Sequence, residues 1–158
     1  MKKALMWWVN GVLFVIALNL MGCATVGIPK EVSYAPRVQN SLTFLYAYIQ
    51  EVEFGFCAYG HLDGDTLRVE RVELALMLAA SPDSMVATCE PKALGFGHSH
   101  RRALGRAQCG FSLTDIKYLA NRPQTFGFVV CAGPTDDQMS ITWAHKAQAK
   151  LWLKEEEK

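Results

Sequence analysis

Two histidines one residue apart, followed by the opening of a helix, constrain this chain more than any other feature. The stretch is GFGHSHRRALGRAQCGFSLTDIKYL, Gly95 to Leu119, and it holds two of the chain's four histidines. Side chains alternate along a strand, so His98 and His100 point to one side and Ser99 to the other. Gly95 and Gly97 mark a close backbone approach beneath them. Downstream, Ser112 is a good N-cap, Asp115 falls at the third helical position, and Leu113, Ile116 and Ala120 share one face. The segment therefore predicts a strand, a loop and a helix. Two imidazoles on one face can share a metal ion, and a carboxylate at the head of the next helix can join them. Two histidines and one aspartate leave a fourth tetrahedral position open to water, the pattern of a catalytic zinc. Zinc brings the pKa of such a water to about 7. A further carboxylate is then needed to carry the proton. Ser112-x-x-Asp115 is also close to a capping box, which serves a helix without any metal. On the residues alone both readings stay open.

Around this stretch the chain alternates helical and extended patterns. Residues 24–35 carry Gly, Pro and polar residues and read as a linker. Val38, Leu42, Leu45 and Ile49 recur at helical spacing over residues 37–50. EFGFCAYG and TLRVERVELAL read as two strands joined by a turn at HLDGD, which makes His61 a solvated turn residue. SPDS, residues 81–84, breaks the pattern, and MVATCEPK fits either strand or loop. TFGFVVCAG is a buried strand, MSITWAH another, and AQAKLWLKEEEK a terminal helix or strand end. His145, near the chain end, reads as an ordinary strand histidine, and Glu70 and Glu73 as surface residues. The order helix, two strands, strand, helix, strand, strand implies an α/β domain with a central mixed sheet.

The 158 residues suit one domain. Lys2 and Lys3 precede an apolar run, LMWWVNGVLFVIALNLMG, which ends in LMGC, Leu20 to Cys23. This resembles the lipobox of bacterial lipoprotein signal peptides, and an uncleaved membrane anchor is the other reading of the run. The resemblance implies a signal peptide at 1–22, a lipidated, palmitate-bearing Cys23 with a linker to residue 36, and a folded domain over 37–158. Ala24, in place of Asp, is similar to outer-membrane sorting signals of Gram-negative cells. The expected location is the cell envelope, lipid-anchored at the periplasmic face of the outer membrane. Without residues 1–22 the chain carries 14 basic and 15 acidic residues. That balance offers no electrostatic case for nucleic acid, and the Arg101, Arg102, Arg106 cluster reads as a solvated loop. Four further cysteines, Cys57, Cys89, Cys109 and Cys131, allow two disulfides in an oxidising compartment, with three pairings open. With no Cys-x-x-Cys pair, a zinc ribbon or a thioredoxin-type centre is not expected.

His98-Ser99-His100, a spacer, and Ser112-x-x-Asp115 resemble the metal motif of the JAMM (MPN-plus, JAB) metalloprotease family. Glu53, which opens EFGFCAYG, is similar to that family's upstream glutamate before an apolar strand ending in Gly. FGFVVCAG resembles the family's next strand, and the likeness spans Val38 to His145. It implies a single JAMM-like, cytidine-deaminase-like domain with a central mixed sheet flanked by helices. It implies that His98, His100 and Asp115 hold Zn2+, that Glu53 acts as general base and acid, and that Ser112 steadies the developing oxyanion. Glu51 is the fallback for Glu53. Two departures stand out. Arg101 replaces the proline usual after the second histidine, and the spacer to Ser112 is eleven residues, not seven. A longer loop costs little in closure entropy but reshapes the rim where substrate enters. Cys109 lies in that loop, and a bond to Cys131 would pin it beside the metal, with Cys57–Cys89 as its complement. The implied activity is a membrane-anchored zinc metallopeptidase hydrolysing an amide or isopeptide bond in a peptide or protein substrate, with cell-envelope peptides the best fit to the location. The alternative is a non-catalytic MPN-like scaffold. A deaminase is disfavoured, because His-x-Glu followed by Pro-Cys-x-x-Cys is absent. Oligomeric state is not legible.

Overall fold

The structure is a computed structural model and describes residues 28–49, 52–81, 84–100, 109–133 and 139–156. The expected signal peptide, Cys23, Glu51 and the arginine cluster at 101, 102 and 106 lie outside the described residues. Six strands form one mixed sheet: β1 (Glu31–Tyr34), β2 (Gly55–Asp63), β3 (Thr66–Leu74), β6 (Gly95–Ser99), β7 (Phe126–Ala132) and β8 (Met139–His145). Their order across the sheet is β1-β3-β2-β6-β7-β8. The pairs β1–β3 and β6–β7 are parallel and the others antiparallel. A separate hairpin joins β4 (Leu76–Ser81) to β5 (Ser84–Thr88). Helix α1 (Pro36–Tyr48) covers one face of the sheet, while α2 (Leu113–Asn121) and α3 (Lys146–Glu156) lie against the other. The expected α/β architecture, a central mixed sheet flanked by helices, is the one observed. No helix among the described residues is long and apolar enough to cross a membrane.

Strand alternation sorts the side chains into two layers. Val38, Leu42 and Tyr46 of α1 meet Phe54, Phe56, Leu67, Val69, Phe126 and Phe128 in the main core. Cys57 and Phe96 point the opposite way and join Ala87, Cys89 and Tyr118. On β6, Gly95 and Gly97 face the aromatic core, while Phe96 and His98 face α2. A Cβ on Gly97 would lie 2.1 Å from the Phe56 ring, and one on Gly95 2.3 Å from the Phe128 ring. The glycines thus make room for two buried rings directly behind the histidines. Gly97→Ala should lower stability by about 1–3 kcal/mol, the usual cost of overpacking a filled core, read as a reduced midpoint in urea denaturation.

Both disulfides form, Cys57–Cys89 and Cys109–Cys131, with Cα atoms 5.6 and 5.5 Å apart. The first ties the end of β5 to β2. The second ties Cys109, at the end of the long spacer, to β7.

Three local expectations are corrected. Residues 31–34, expected within the linker, form β1. Val32 and Tyr34 turn inward against the core while the backbone pairs with Thr66 to Val69, an alternation too short to stand out in sequence. His61 lies within β2 and not in a turn. The turn is Gly64-Asp65, where Gly64 has φ +59°, a conformation that favours glycine. His61 remains exposed, its Nδ1 3.6 Å from Glu70 Oε1. TLRVERVELAL forms one strand, β3, only to Leu74, and its last residue, Leu76, already opens β4. Ala75 N–H donates to the Gly55 carbonyl at 2.9 Å, and the chain then leaves the main sheet as the β4–β5 hairpin.

Candidate metal centre

The site is assembled from the end of β6, the segment before β2, and the first turn of α2. His98 is buried on the α2 side of β6. β6 ends at Ser99, so His100 lies one residue past it, yet its N–H still donates to the Val130 carbonyl of β7 at 2.7 Å. That bond extends the ladder and keeps the His100 ring on the same side as His98. From the other side, the Tyr46 hydroxyl donates to the His100 carbonyl at 3.3 Å. The two Nε2 atoms are 3.1 Å apart.

Helix α2 brings the carboxylate. Ser112 caps it: its Oγ accepts from Asp115 N–H at 3.2 Å, and Ser112 N–H donates to Asp115 Oδ2 at 2.7 Å. This is a reciprocal capping box. The same carboxylate faces the histidines, with Oδ1 3.1 Å from His98 Nε2 and Oδ2 3.5 Å from His100 Nε2. The capping and ligand readings of Ser112-x-x-Asp115 are therefore not alternatives, because one carboxylate does both. Burial alone would raise the Asp115 carboxyl. Hydrogen bonds from His100 and His98, the charge of His98 and the Ser112 amide outweigh it and hold the group well below the usual carboxylate range.

The three donor groups fit a shared ion. Each offers an atom within 4.8 Å of the others. Donors about 2.0–2.1 Å from a tetrahedral zinc stand roughly 3.3–3.4 Å from one another; the two Nε2 atoms at 3.1 Å and His98 Nε2 with Asp115 Oδ1 at 3.1 Å lie near that value, while His100 Nε2 is 3.5 Å from the other carboxylate oxygen, Oδ2. Two imidazoles and a carboxylate are also an ordinary catalytic-zinc donor set.

Glu53 and Ser112 border the same cleft as His98, His100 and Asp115, a space of about 550 Å³. Phe54 packs into the aromatic core on the α1 side, 6.4 Å from Phe56 between ring centroids. Alternation then turns Glu53 toward the histidine side. All five residues singled out in the sequence thus line one opening. Its far wall, which the sequence did not reveal, is Met85 and Val86 of β5 with Thr114 and Tyr118 of α2. Tyr118 lies one helical turn from Asp115, so the spacing could have found it. Met85 and Val86 carry no signal of a site, because MVATCEPK fits either strand or loop in sequence. The Tyr118 hydroxyl donates to the Ala87 carbonyl at 3.0 Å, and Arg122 donates to the same carbonyl, so α2 and β5 are joined beside the cleft. His145 is not in the site: its Nδ1 accepts from Ala147 N–H at 3.1 Å at the head of α3. Glu70 and Glu73 are exposed on β3.

No family model and no curated protein matches the chain. Among solved structures it is similar to a JAB1/MPN domain protein from Archaeoglobus fulgidus, at 16% identity and a TM-score of 0.49, over 74% of this chain and 90% of that one. It is also similar to a protein from Salinibacter ruber, at 17% identity and a TM-score of 0.41, over 70% of this chain and 79% of that one. Likeness at that level says nothing of chemistry; the side chains of the cleft do.

Proposed function

We propose that this chain is a zinc-dependent hydrolase of JAMM type that cleaves an amide or isopeptide bond in a peptide or protein. The observation that carries the reading is the convergence of His98, His100, Asp115, Glu53 and Ser112 on one cleft, with the first three spaced for a shared ion. His98, His100 and Asp115 hold the zinc. When bound, it supplies Lewis acidity and a readily ionised water near neutral pH. Glu53 takes the proton of the attacking water and returns it to the leaving nitrogen. The Ser112 Oγ already accepts the Asp115 amide, which leaves its own proton free for the carbonyl oxygen as negative charge develops there. The apolar Met85, Val86 and Tyr118 wall takes the substrate's side chains.

The location belongs to the same proposal. LMGC at Leu20–Cys23 supports a lipoprotein held at the cell envelope through Cys23, and two disulfides suit an oxidising compartment. Peptides of the envelope are the substrates that such a tether brings within reach.

Metal analysis of the purified protein tests the reading. About one zinc per chain is expected, removed by a chelator together with peptide hydrolysis and restored with it on adding zinc. Protein that neither carries nor takes up zinc would leave the scaffold alternative standing.

A further inference from the structure

Ser99 lies between the two histidines and faces away from them, so the reading above gives it no task. It is 2% exposed, on the aromatic side of β6. The antiparallel register of β2 on β6 pairs Gly55 with His98 and Phe56 with Gly97. The next rung in that register is Phe54 with Ser99. One of its two bonds is the ordinary one, from Ser99 N–H to the Phe54 carbonyl at 2.9 Å. The other is not. Phe54 N–H donates to Ser99 Oγ at 2.9 Å, whereas a regular rung would exchange both bonds through backbone atoms. The hydroxyl replaces the Ser99 carbonyl as acceptor, and the ladder closes on a side chain.

We infer that Ser99 is a positioning residue for Glu53, holding the residue after it against β6 so that the carboxylate stays beside His98 and His100. The inference rests on the hydrolase reading. The physical reason is local. Phe54 is 3% exposed and its ring is anchored in the core. Two hydrogen bonds to Ser99 then fix both its N–H and its carbonyl. Glu53 joins the chain directly at that N–H, so its Cα is set by the same clamp. The middle residue of His98-Ser99-His100 thus sets the proton carrier on one side of the sheet while its neighbours present nitrogen on the other. A side chain without an oxygen would leave the Phe54 amide buried without an acceptor. Thr keeps the oxygen on the same carbon.

The test uses the zinc-loaded full-length protein with a peptide that the wild type cleaves, comparing Ser99→Ala with Ser99→Thr. Ser99→Ala should keep the wild-type zinc content and KM and lose kcat by about 10- to 100-fold, while Ser99→Thr stays within about threefold of wild type. A second reading needs no activity. In the metal-free protein the Phe54 amide should exchange its hydrogen at least about tenfold faster in Ser99→Ala than in wild type or Ser99→Thr. Ser99→Cys, which keeps the volume and weakens the acceptor, is judged in the same way if the alanine variant does not fold. Wild-type kcat in Ser99→Ala, or unchanged Phe54 exchange, overturns the role of Ser99 alone. A wild type that binds no zinc and cleaves no peptide overturns the hydrolase reading and this role with it.

Discussion

Asp115→Ala loses zinc and loosens a helix in one step, and Asp115→Asn separates the two losses. The Asp115 carboxylate accepts the Ser112 amide at 2.7 Å and faces both imidazoles, at 3.1 and 3.5 Å. Alanine removes all three contacts. Asparagine keeps a carbonyl oxygen for the Ser112 amide but gives up the charge a metal needs. Zinc affinity should fall more than about a hundredfold in both variants, since groups that merely orient a ligand are already worth 10- to 100-fold. Stability of the metal-free protein should divide them. The alanine variant should lose about 1 kcal/mol, the usual worth of a helix cap, and the asparagine variant clearly less. Competition with a chelating dye gives the affinities, and urea denaturation after chelation gives the stabilities. Equal stability in the two variants would mean that the capping contact contributes nothing. The pH dependence has a definite sign. The folded carboxyl is held below its ordinary value, so its contribution is complete above the unfolded value of about 4 and is lost as pH falls below it. Metal-free wild type should therefore weaken in acid more steeply than Asp115→Asn.

How much of this was legible follows from the range of each signal. The His98/His100 pair and the Ser112 cap are local. Strand alternation and helix-cap chemistry act over two to four residues, so the sequence carries them directly. Both fell where expected, although β6 stops one residue short of His100 and a bond to Val130 keeps that ring in place. What brings Asp115 to the histidines is not local: it depends on β6 and β7 lying side by side with α2 between them in the chain, a topology that only the resemblance supplied. The misread pieces have physical causes as well. β1 is four residues long, and half of its side chains face water. β3 and β4 form one unbroken apolar-rich run in sequence; Ala75 still bonds to β2 through the Gly55 carbonyl, and from Leu76 the chain pairs with β5 instead. The hairpin that follows leaves Leu76, Leu78 and Val86 exposed. Hydrophobicity there marks a surface and not a core, so the cleft wall at Met85 and Val86 could not be read from apolar pattern.

Glu53→Gln should bind zinc like the wild type and hydrolyse nothing measurable. Glu53 is outside the donor cluster of His98, His100 and Asp115 yet borders the same cleft, so the substitution leaves the ion's ligands untouched. Glutamine is nearly the same size and keeps one carbonyl oxygen, so the Phe54 anchor behind it is not disturbed. What it lacks is a group that can take a proton from water and give it to a departing amine. General acid–base catalysis is worth about 10²- to 10⁴-fold, and here one carboxylate serves both halves of the reaction, which places the expected loss in kcat at the upper end. Zinc content by metal analysis and single-turnover cleavage of a peptide are measured on the same preparation, with Ser112→Ala beside it. Ser112→Ala should lose a smaller factor, about 10²- to 10³-fold, as expected for one oxyanion donor, together with part of the α2 cap. If Glu53→Gln lost its zinc, the glutamate would be acting as a ligand and not as a proton carrier. If it kept both zinc and wild-type turnover, the proton would have to travel through another group lining the cleft.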